Sequence, residues 1–183
     1  AWSLQSPSLL AHNALPTEVV TPHQSQWLRE SLSTHLRLLD QDPTELTTFL
    51  DQNPTRRVGR YFEQLIEYAL AHTDCALLAT NHQLHHGKRV VGELDYLFEH
   101  HGEINHWETA LKFYLQHRGG ETLMDFVGPN AADTLGLKVD RILKHQLPMG
   151  QHSATTTISG LDGRPISSRA FVRGYLFYHQ GQT

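Results

Sequence analysis

The sequence predicts a mixed α/β fold in which helices come first, three consecutive strands follow, and a helix and a final strand complete the chain. Apolar residues recur at helical spacing through most of the first third of the chain. Strand-like runs separated by short turns come next. Hydrophobic residues make up 39% of the chain, which is enough to form a core around these elements.

Composition and charge restrict the class of protein. No apolar run approaches the roughly 18 residues of a membrane helix, and we expect neither a signal peptide nor a membrane partner. The single cysteine, Cys75, lies in an apolar run, so we interpret it as a small buried residue of a cytoplasmic protein. The net charge of −4 provides no global field for nucleic acid, so such a contact requires a local basic patch.

Start signals divide the N-terminal part into helices. Thr21-Pro22 combines an N-cap with a proline at the first helical position, and leucines at helical spacing continue this helix to Asp40. Residues 42–45 repeat the signal in capping-box form, for a short helix that ends near Asn53-Pro54. A longer helix is predicted over 56–71, where the apolar residues form one broad stripe.

One carboxylate of the longer helix is a candidate functional group. Glu63 falls at the edge of the apolar stripe, beside Ile66 and Leu70. A carboxylate in that position suits a functional site, whereas a solvated border residue is the alternative interpretation.

Three strands form the centre of the predicted fold. Alternating apolar and polar residues indicate strands over Ala76–Leu84, Arg89–Glu99 and Glu103–Leu115. The segments His86-Gly87-Lys88 and His101-Gly102 are typical of the tight turns of β-hairpins. The three strands are therefore predicted to form an antiparallel meander.

The last part of the chain returns to a helix and a strand. A helix is predicted from Asp133, as its N-cap, to Leu147, because Pro148 follows. Residues 150–168 are expected to be irregular. A strand over Ala170–Tyr178 ends the pattern.

We expect one domain over residues 1–183. Residues 1–55 are predicted to be an N-terminal helical extension that packs on a core formed by residues 56–183. The sequence starts at Ala1 without a methionine and stops soon after a strand-like run, so we expect a trimmed N-terminus and a truncated C-terminus.

The second hairpin brings two acids together. A turn centred on His101-Gly102 places Asp95 directly opposite Glu108, with Cβ atoms about 4.5–5.5 Å apart. Side chains alternate along a strand, so Glu93 shares the face of Asp95, and Lys112 shares the face of Glu108. A slip of the register by one residue would move one acid to the other face.

The facing acids require an explanation, because like charges directly opposite one another destabilise a sheet. A divalent cation held by hard oxygen ligands, Mg²⁺ or Mn²⁺, would offset the repulsion between Asp95 and Glu108. The alternative is a half-exposed sheet face on which Lys112 and His106 neutralise the two acids.

Together these residues resemble the PD-(D/E)XK nuclease superfamily, whose restriction-endonuclease-like core consists of a helix, three strands, a helix and a strand. Nearly the whole chain resembles an uncharacterised bacterial family, a domain of unknown function associated with that superfamily. The blocks that carry the resemblance are Gly59-Arg60-Tyr61-Phe62-Glu63, Gly92-Glu93-Leu94-Asp95, His106-Trp107-Glu108, Lys112-Phe113-Tyr114, Phe126-Val127-Gly128-Pro129-Asn130 and His145-Gln146-Leu147-Pro148.

The resemblance implies a hydrolase that cleaves the phosphodiester bonds of nucleic acid. It implies Asp95 and Glu108 as ligands of Mg²⁺ or Mn²⁺, Glu63 as a supporting catalytic acid of the helix, and Lys112 as the catalytic lysine. One position departs from the superfamily, because the lysine usually stands two residues after the second acid, where this chain has Ala110. Lys112 is displaced about 13 Å along the strand from Glu108. An inactive nuclease-like module that binds nucleic acid or a protein partner is therefore the alternative function.

Two further groups of residues have alternative interpretations. Lys138, Arg141 and His145 lie along one side of the last predicted helix, where Lys138 and Arg141 could bind nucleic-acid phosphates or form a solvated basic face. The 14 histidines cluster partly near the two hairpin turns. Without cysteine pairs or a His-Glu-x-x-His motif, surface histidines are a better interpretation of these clusters than a zinc site.

Overall fold

The computed structural model describes residues 2–11, 14–15, 17–117, 119, 121–158, 160–161 and 163–179. Helices form the first part of the chain: α1 Trp2–Gln5, α2 Pro22–Ser31, α3 Ser33–Gln41, α4 Thr44–Gln52 and α5 Val58–Ala71. The start signal at Thr21 is confirmed, because its Oγ1 accepts a hydrogen bond of 3.1 Å from the Gln24 backbone. The predicted first helix divides at Leu32 into α2 and α3.

The predicted meander is confirmed. It consists of β1 Ala76–His86, β2 Arg89–His100 and β3 Glu103–Gln116, paired antiparallel in sequence order. The second turn has positive φ angles of 50° and 79° at His101 and Gly102, as expected for a tight hairpin turn. The β2–β3 pairs from His100–Glu103 to Tyr96–Trp107 follow the predicted register.

Two further strands flank β3 and create a gap beside it. Strand β5, Ile166–Phe177, runs parallel to β3 and pairs with it from Ile104 to Leu115, so it covers one edge of β3. The short strand β4, Phe126–Val127, pairs with β3 at Leu115 and Gln116. Because β5 occupies one edge, β2 and β4 share the other edge at opposite ends of β3. Residues 108–114 of β3 lie between them.

The last helical region differs from the prediction. Helix α6, Leu135–Arg141, is capped by Thr134, whose side chain accepts a hydrogen bond from Leu137 N. Asp133 had been predicted as this cap. The chain continues as a π-helical turn over Ile142–Gln146 and a 3-10 turn over Leu147–Gln151. Pro148 lacks the N–H that would continue an α-helical pattern, so α-helix does not resume after the π-helical turn.

Apolar side chains on both faces of the sheet pack against helices. On one face Trp107 stacks on Phe171 with ring centroids 5.1 Å apart, and helix α5 packs there through Phe62. On the other face Ala110 of β3 belongs to a cluster that includes Val139 of α6. Glu108 lies on the α6 face, since side chains alternate along β3. Among the described residues, no helix is long and apolar enough to cross a membrane.

Candidate functional site

The two predicted acids line one pocket of about 420 Å³. The backbone pairing of β2 with β3 extends as far as Tyr96–Trp107, and Asp95 and Glu108 are the next residues of the two strands. The acids therefore lie where β2 leaves β3. Tertiary structure brings them together as predicted, although they do not form a backbone-paired position of the ladder. The pocket is also lined by Val91, Gly92, Glu93, Arg141, His145, Gln146 and Met149.

Hydrogen bonds from β3 hold the carboxylate of Asp95. Its Oδ2 accepts from the backbone N–H of Thr109 at 2.8 Å and from the Thr109 hydroxyl at 3.2 Å. Burial raises the pKa of Asp95 to about 6, against the lowering effect of these two hydrogen bonds. The negative charge of Glu63 raises this pKa as well. The site thus brings together carboxylates that repel one another.

Glu108 is the more deeply buried acid, with 3% of its surface exposed. Burial raises its pKa well above the ordinary range, and repulsion from Asp95 adds to this effect. The side-chain amide of Gln146 donates a short hydrogen bond to Glu108 Oε1. Within the described residues, Glu108 Oε2 and Asp95 Oδ1 accept no hydrogen bond, so each carboxylate retains one oxygen for a ligand.

Lys138 lies on the inner side of α6, beside the acids. Its Nζ donates to Gln146 Oε1 at 2.9 Å, so Gln146 links this lysine to Glu108. Burial lowers the pKa of Lys138, while the negative charges of Glu108 and Asp95 oppose that shift. Lys138 is therefore half-buried and engaged by Gln146 rather than fully solvated. Gln146 reaches the site from the π-helical turn, a distortion that is frequent at functional sites.

Glu63 approaches the site from α5. Its charge raises the pKa values of both Asp95 and Glu108. Arg60 Nη1 binds Glu63 Oε2 at 2.9 Å and also donates to Asn81 Oδ1 at 2.7 Å. Glu63 thus lies near the two acids, and its carboxylate is already paired with an arginine.

Lys112 binds Asp133, whereas the resemblance implies a position beside the acid pair. Its Nζ lies 2.5 Å from Asp133 Oδ2, which also accepts from the Tyr114 hydroxyl at 3.1 Å. His106 Nδ1 lies 3.1 Å from Ser168 Oγ, and burial lowers the pKa of His106 to about 4. A histidine with that pKa is uncharged at neutral pH. The alternative in which Lys112 and His106 neutralise the acid pair does not match these contacts.

In the described part of the chain, histidines contribute to two clusters away from the acid pocket. Ligand atoms within 4.8 Å of one another belong to His35, Glu45 and His72 in one cluster and to Asp74, His100 and His101 in the other. Either cluster could hold a metal ion. No sequence motif indicates the first cluster, because its residues come from α3, from α4 and from the residue that follows α5. His100 and His101 were expected at a turn, but their proximity to Asp74 depends on folding.

The fold and the site define a mixed α/β protein with an acidic pocket at the point where two strands diverge. A family model described as "Domain of unknown function (DUF1853)" matches residues 1–183, and the chain belongs to that family. The predicted membership of an uncharacterised family is thereby confirmed. No curated protein and no solved structure matches the chain.

Proposed function

We propose that the protein is a metal-dependent phosphodiesterase of the PD-(D/E)XK type, acting on nucleic acid in the cytoplasm. The supporting observation is the pair of neighbouring carboxylates, the half-buried Asp95 and the buried Glu108, each with one oxygen that accepts no hydrogen bond within the described residues. The order of a helix, three meander strands, a helix and a strand parallel to β3 agrees with a restriction-endonuclease-like core.

The donor set fits a hard divalent cation. Asp95 and Glu108 offer oxygen ligands, which Mg²⁺ and Mn²⁺ prefer, and their mutual repulsion would be relieved by such an ion. When bound, the ion would lower the pKa of a water molecule and stabilise charge that develops on a phosphate. The hydrogen bonds from Thr109 and Gln146 orient the two carboxylates towards the pocket.

Lys138 is the cation that we assign to this site in place of Lys112. The superfamily lysine position holds Ala110, and Lys112 binds Asp133. Lys138 lies close enough to Glu108 and Asp95 that their charges raise its pKa against the effect of burial. Its ammonium group would stabilise negative charge on a bound phosphate. Arg141 and His145, which line the pocket, would contact neighbouring phosphates of the substrate.

The second candidate function is a nuclease-like module that binds nucleic acid or a protein partner without cleaving it. Ala110 at the usual lysine position and the engagement of Lys112 by Asp133 favour this alternative. The predicted phosphate contacts distinguish a nucleic-acid partner from a protein partner. Replacing Arg141 by glutamine should weaken nucleic-acid binding and reduce its salt dependence by roughly one unit of slope. An unchanged salt slope would show that Arg141 does not contact a phosphate.

The decisive experiment is a cleavage assay on single-stranded DNA, double-stranded DNA and RNA, with Mg²⁺, Mn²⁺ or a chelator. We expect metal-dependent cleavage by the parent protein and a loss of about a hundredfold or more in Asp95→Asn and Glu108→Gln. Glu121→Gln, which removes an exposed acid outside the pocket, is the matched control. Cleavage that survives Asp95→Asn would refute the site assignment. Metal binding without cleavage of any substrate would favour the binding module.

A further inference from the structure

A buried arginine lies on the face of the sheet opposite the acid pocket. Arg173 of β5 is 2% exposed. Its guanidinium carbon lies 3.9 Å from the ring centroid of Phe171, and its Nη1 donates to Val172 O at 3.3 Å. Its Nε is buried without a hydrogen-bond partner, and no acid among the described residues forms an ion pair with it. A buried charge without a counter-charge is costly, so this arginine requires an explanation.

A second arginine increases that cost. Arg29 of α2 lines the same pocket as Arg173. Burial, together with the like charge of Arg29, lowers the pKa of Arg173 to about 10. Within the described residues Arg29 also has no ion pair. The fold therefore brings two cations together without supplying an anion.

The pocket around these cations has a volume of about 330 Å³. It lies between the N-terminal segment, helix α2 and strand β5. Three serines, Ser6, Ser8 and Ser25, also line it. The Oγ atom of Ser6 is buried and has no hydrogen-bond partner. The Ser8 hydroxyl already donates to Val172 O at 3.4 Å. The pocket therefore combines two positive charges with serine hydroxyls, and the buried hydroxyl of Ser6 has no partner within the described protein.

The arginine pocket is separate from the acid pocket. In the parallel pairing Glu108 lies beside Ala170, and Leu111 lies beside Arg173. Ala170 packs in the α6 cluster, whereas Phe171 packs in the α5 cluster. Because side chains alternate along β5, Arg173 projects to the α5 side. The inference that follows does not depend on the proposed nuclease function.

We propose that the pocket formed by Arg29, Arg173 and the three serines binds a phosphate group. A phosphate dianion matches the two positive charges and accepts hydrogen bonds from guanidinium and hydroxyl donors. A carboxylate carries one charge and would leave one arginine uncompensated. The volume accommodates either inorganic phosphate or the terminal phosphate of a small monoester, and these two sources share the same recognition chemistry.

Binding is tested by isothermal calorimetry and thermal denaturation of the whole chain in chelator. Sodium phosphate is compared with sodium chloride at equal ionic strength, and a nucleoside monophosphate is the second probe. The variants are Arg29→Gln, which alters a partly exposed residue, and Arg173→Met, which replaces the buried charge by an apolar chain of similar length. Arg37→Gln, in α3 and outside this pocket, is the matched control for loss of one positive charge.

We expect phosphate to bind and stabilise the parent protein and Arg37→Gln to a similar extent. Affinity should fall by about tenfold or more in Arg29→Gln and Arg173→Met. If Arg173→Met fails to fold, Arg29→Gln alone decides the result. If the nucleoside monophosphate binds more tightly than inorganic phosphate, the natural ligand is a phosphate monoester. If it binds no more tightly, the ligand is free phosphate. The proposal is overturned if phosphate acts no differently from chloride on the parent, or if Arg29→Gln binds phosphate as tightly as Arg37→Gln.

Discussion

Asp95 Oδ2 accepts hydrogen bonds from both the backbone N–H and the hydroxyl group of Thr109, at 2.8 and 3.2 Å. This contact joins β2 to β3 where their backbone pairing has ended. It fixes one carboxylate oxygen and leaves the other available in a pocket that already contains Glu108. The contact also determines which substitutions of Asp95 are informative. Asparagine retains an acceptor for Thr109, whereas alanine does not.

The first prediction concerns Asp95→Asn and metal. Near neutral pH the variant should be more stable than the parent in chelator, by about 0.5 kcal/mol, because the substitution removes a charge that burial and the nearby charge of Glu63 disfavour. Added Mn²⁺ should stabilise the parent through binding linkage and hardly affect the variant. Thermal denaturation of both proteins, with chelator and with Mn²⁺, measures this. Clear destabilisation of the variant in chelator, with no Mn²⁺ effect on either protein, would make the acids structural.

The second prediction concerns the pH dependence of the same pair of proteins. Folding raises the pKa of Asp95 to about 6, so the folded state binds its proton more tightly than the unfolded state does. This contribution to stability is fully present below the ordinary pKa of about 4 and is lost as the pH rises through about 6. Asp95→Asn should therefore become the less stable protein below about pH 5, with a change on the order of 1 kcal/mol.

The comparison between the two proteins isolates Asp95 from an opposite effect. Folding lowers the pKa of His106 to about 4, so its contribution is present above its ordinary pKa and is lost as the pH falls. Both proteins contain His106, and its effect cancels in the difference. The measurement is the free energy of unfolding in urea across this pH range, in chelator. A difference between the two proteins that does not change with pH would contradict the raised pKa.

The third prediction concerns the buried lysine. Lys138→Met should destabilise the metal-free protein by about 1–3 kcal/mol, because Glu108 and Asp95 lose the nearby positive charge. Adding Glu108→Gln to this variant should restore part of the loss. Lys144→Met is the matched control, since Lys144 forms an exposed pair with Asp140 and should change stability by about 0.5 kcal/mol or less. Equal effects of the two lysine substitutions in urea denaturation would count against a charge network.

The fourth prediction concerns Gly174 of β5. A Cβ atom at this position would clash with the backbone oxygen of Lys112. Backbone on the paired strand cannot move aside as a flexible side chain can, so Gly174→Ala should destabilise the protein by several kcal/mol. Gly59→Ala is the control, because nothing lies within 4 Å of its Cβ and it belongs to helix α5. The control should be neutral or stabilising by up to about 1 kcal/mol. Similar melting temperatures for the two variants would contradict the prediction.

Local patterns in the sequence were sufficient for helix α5 and for the meander, whereas the first and last predicted helices were only partly correct. The turn at His101-Gly102 defines the register of β2 and β3 because a two-residue loop with positive φ angles allows one pairing. Alternation then assigns Glu108 to one face of β3. The same reasoning brought Asp95 and Glu108 together without knowledge of the rest of the fold. These inferences succeeded because each depends on residues that are close in sequence or paired through a short turn.

The hydrogen-bond and ion-pair partners of the site residues depend on tertiary structure alone. Gln146 reaches Glu108 across 38 positions of sequence, and Lys112 turns to Asp133 rather than to the acids. Arg29 and Arg173 line the same pocket because of the way the N-terminal helices pack on β5. Sequence periodicity assigns a side chain to a face of its own helix or strand, but it does not identify the element that packs on that face. The charges that surround a buried group, and hence its pKa, depend on that covering element.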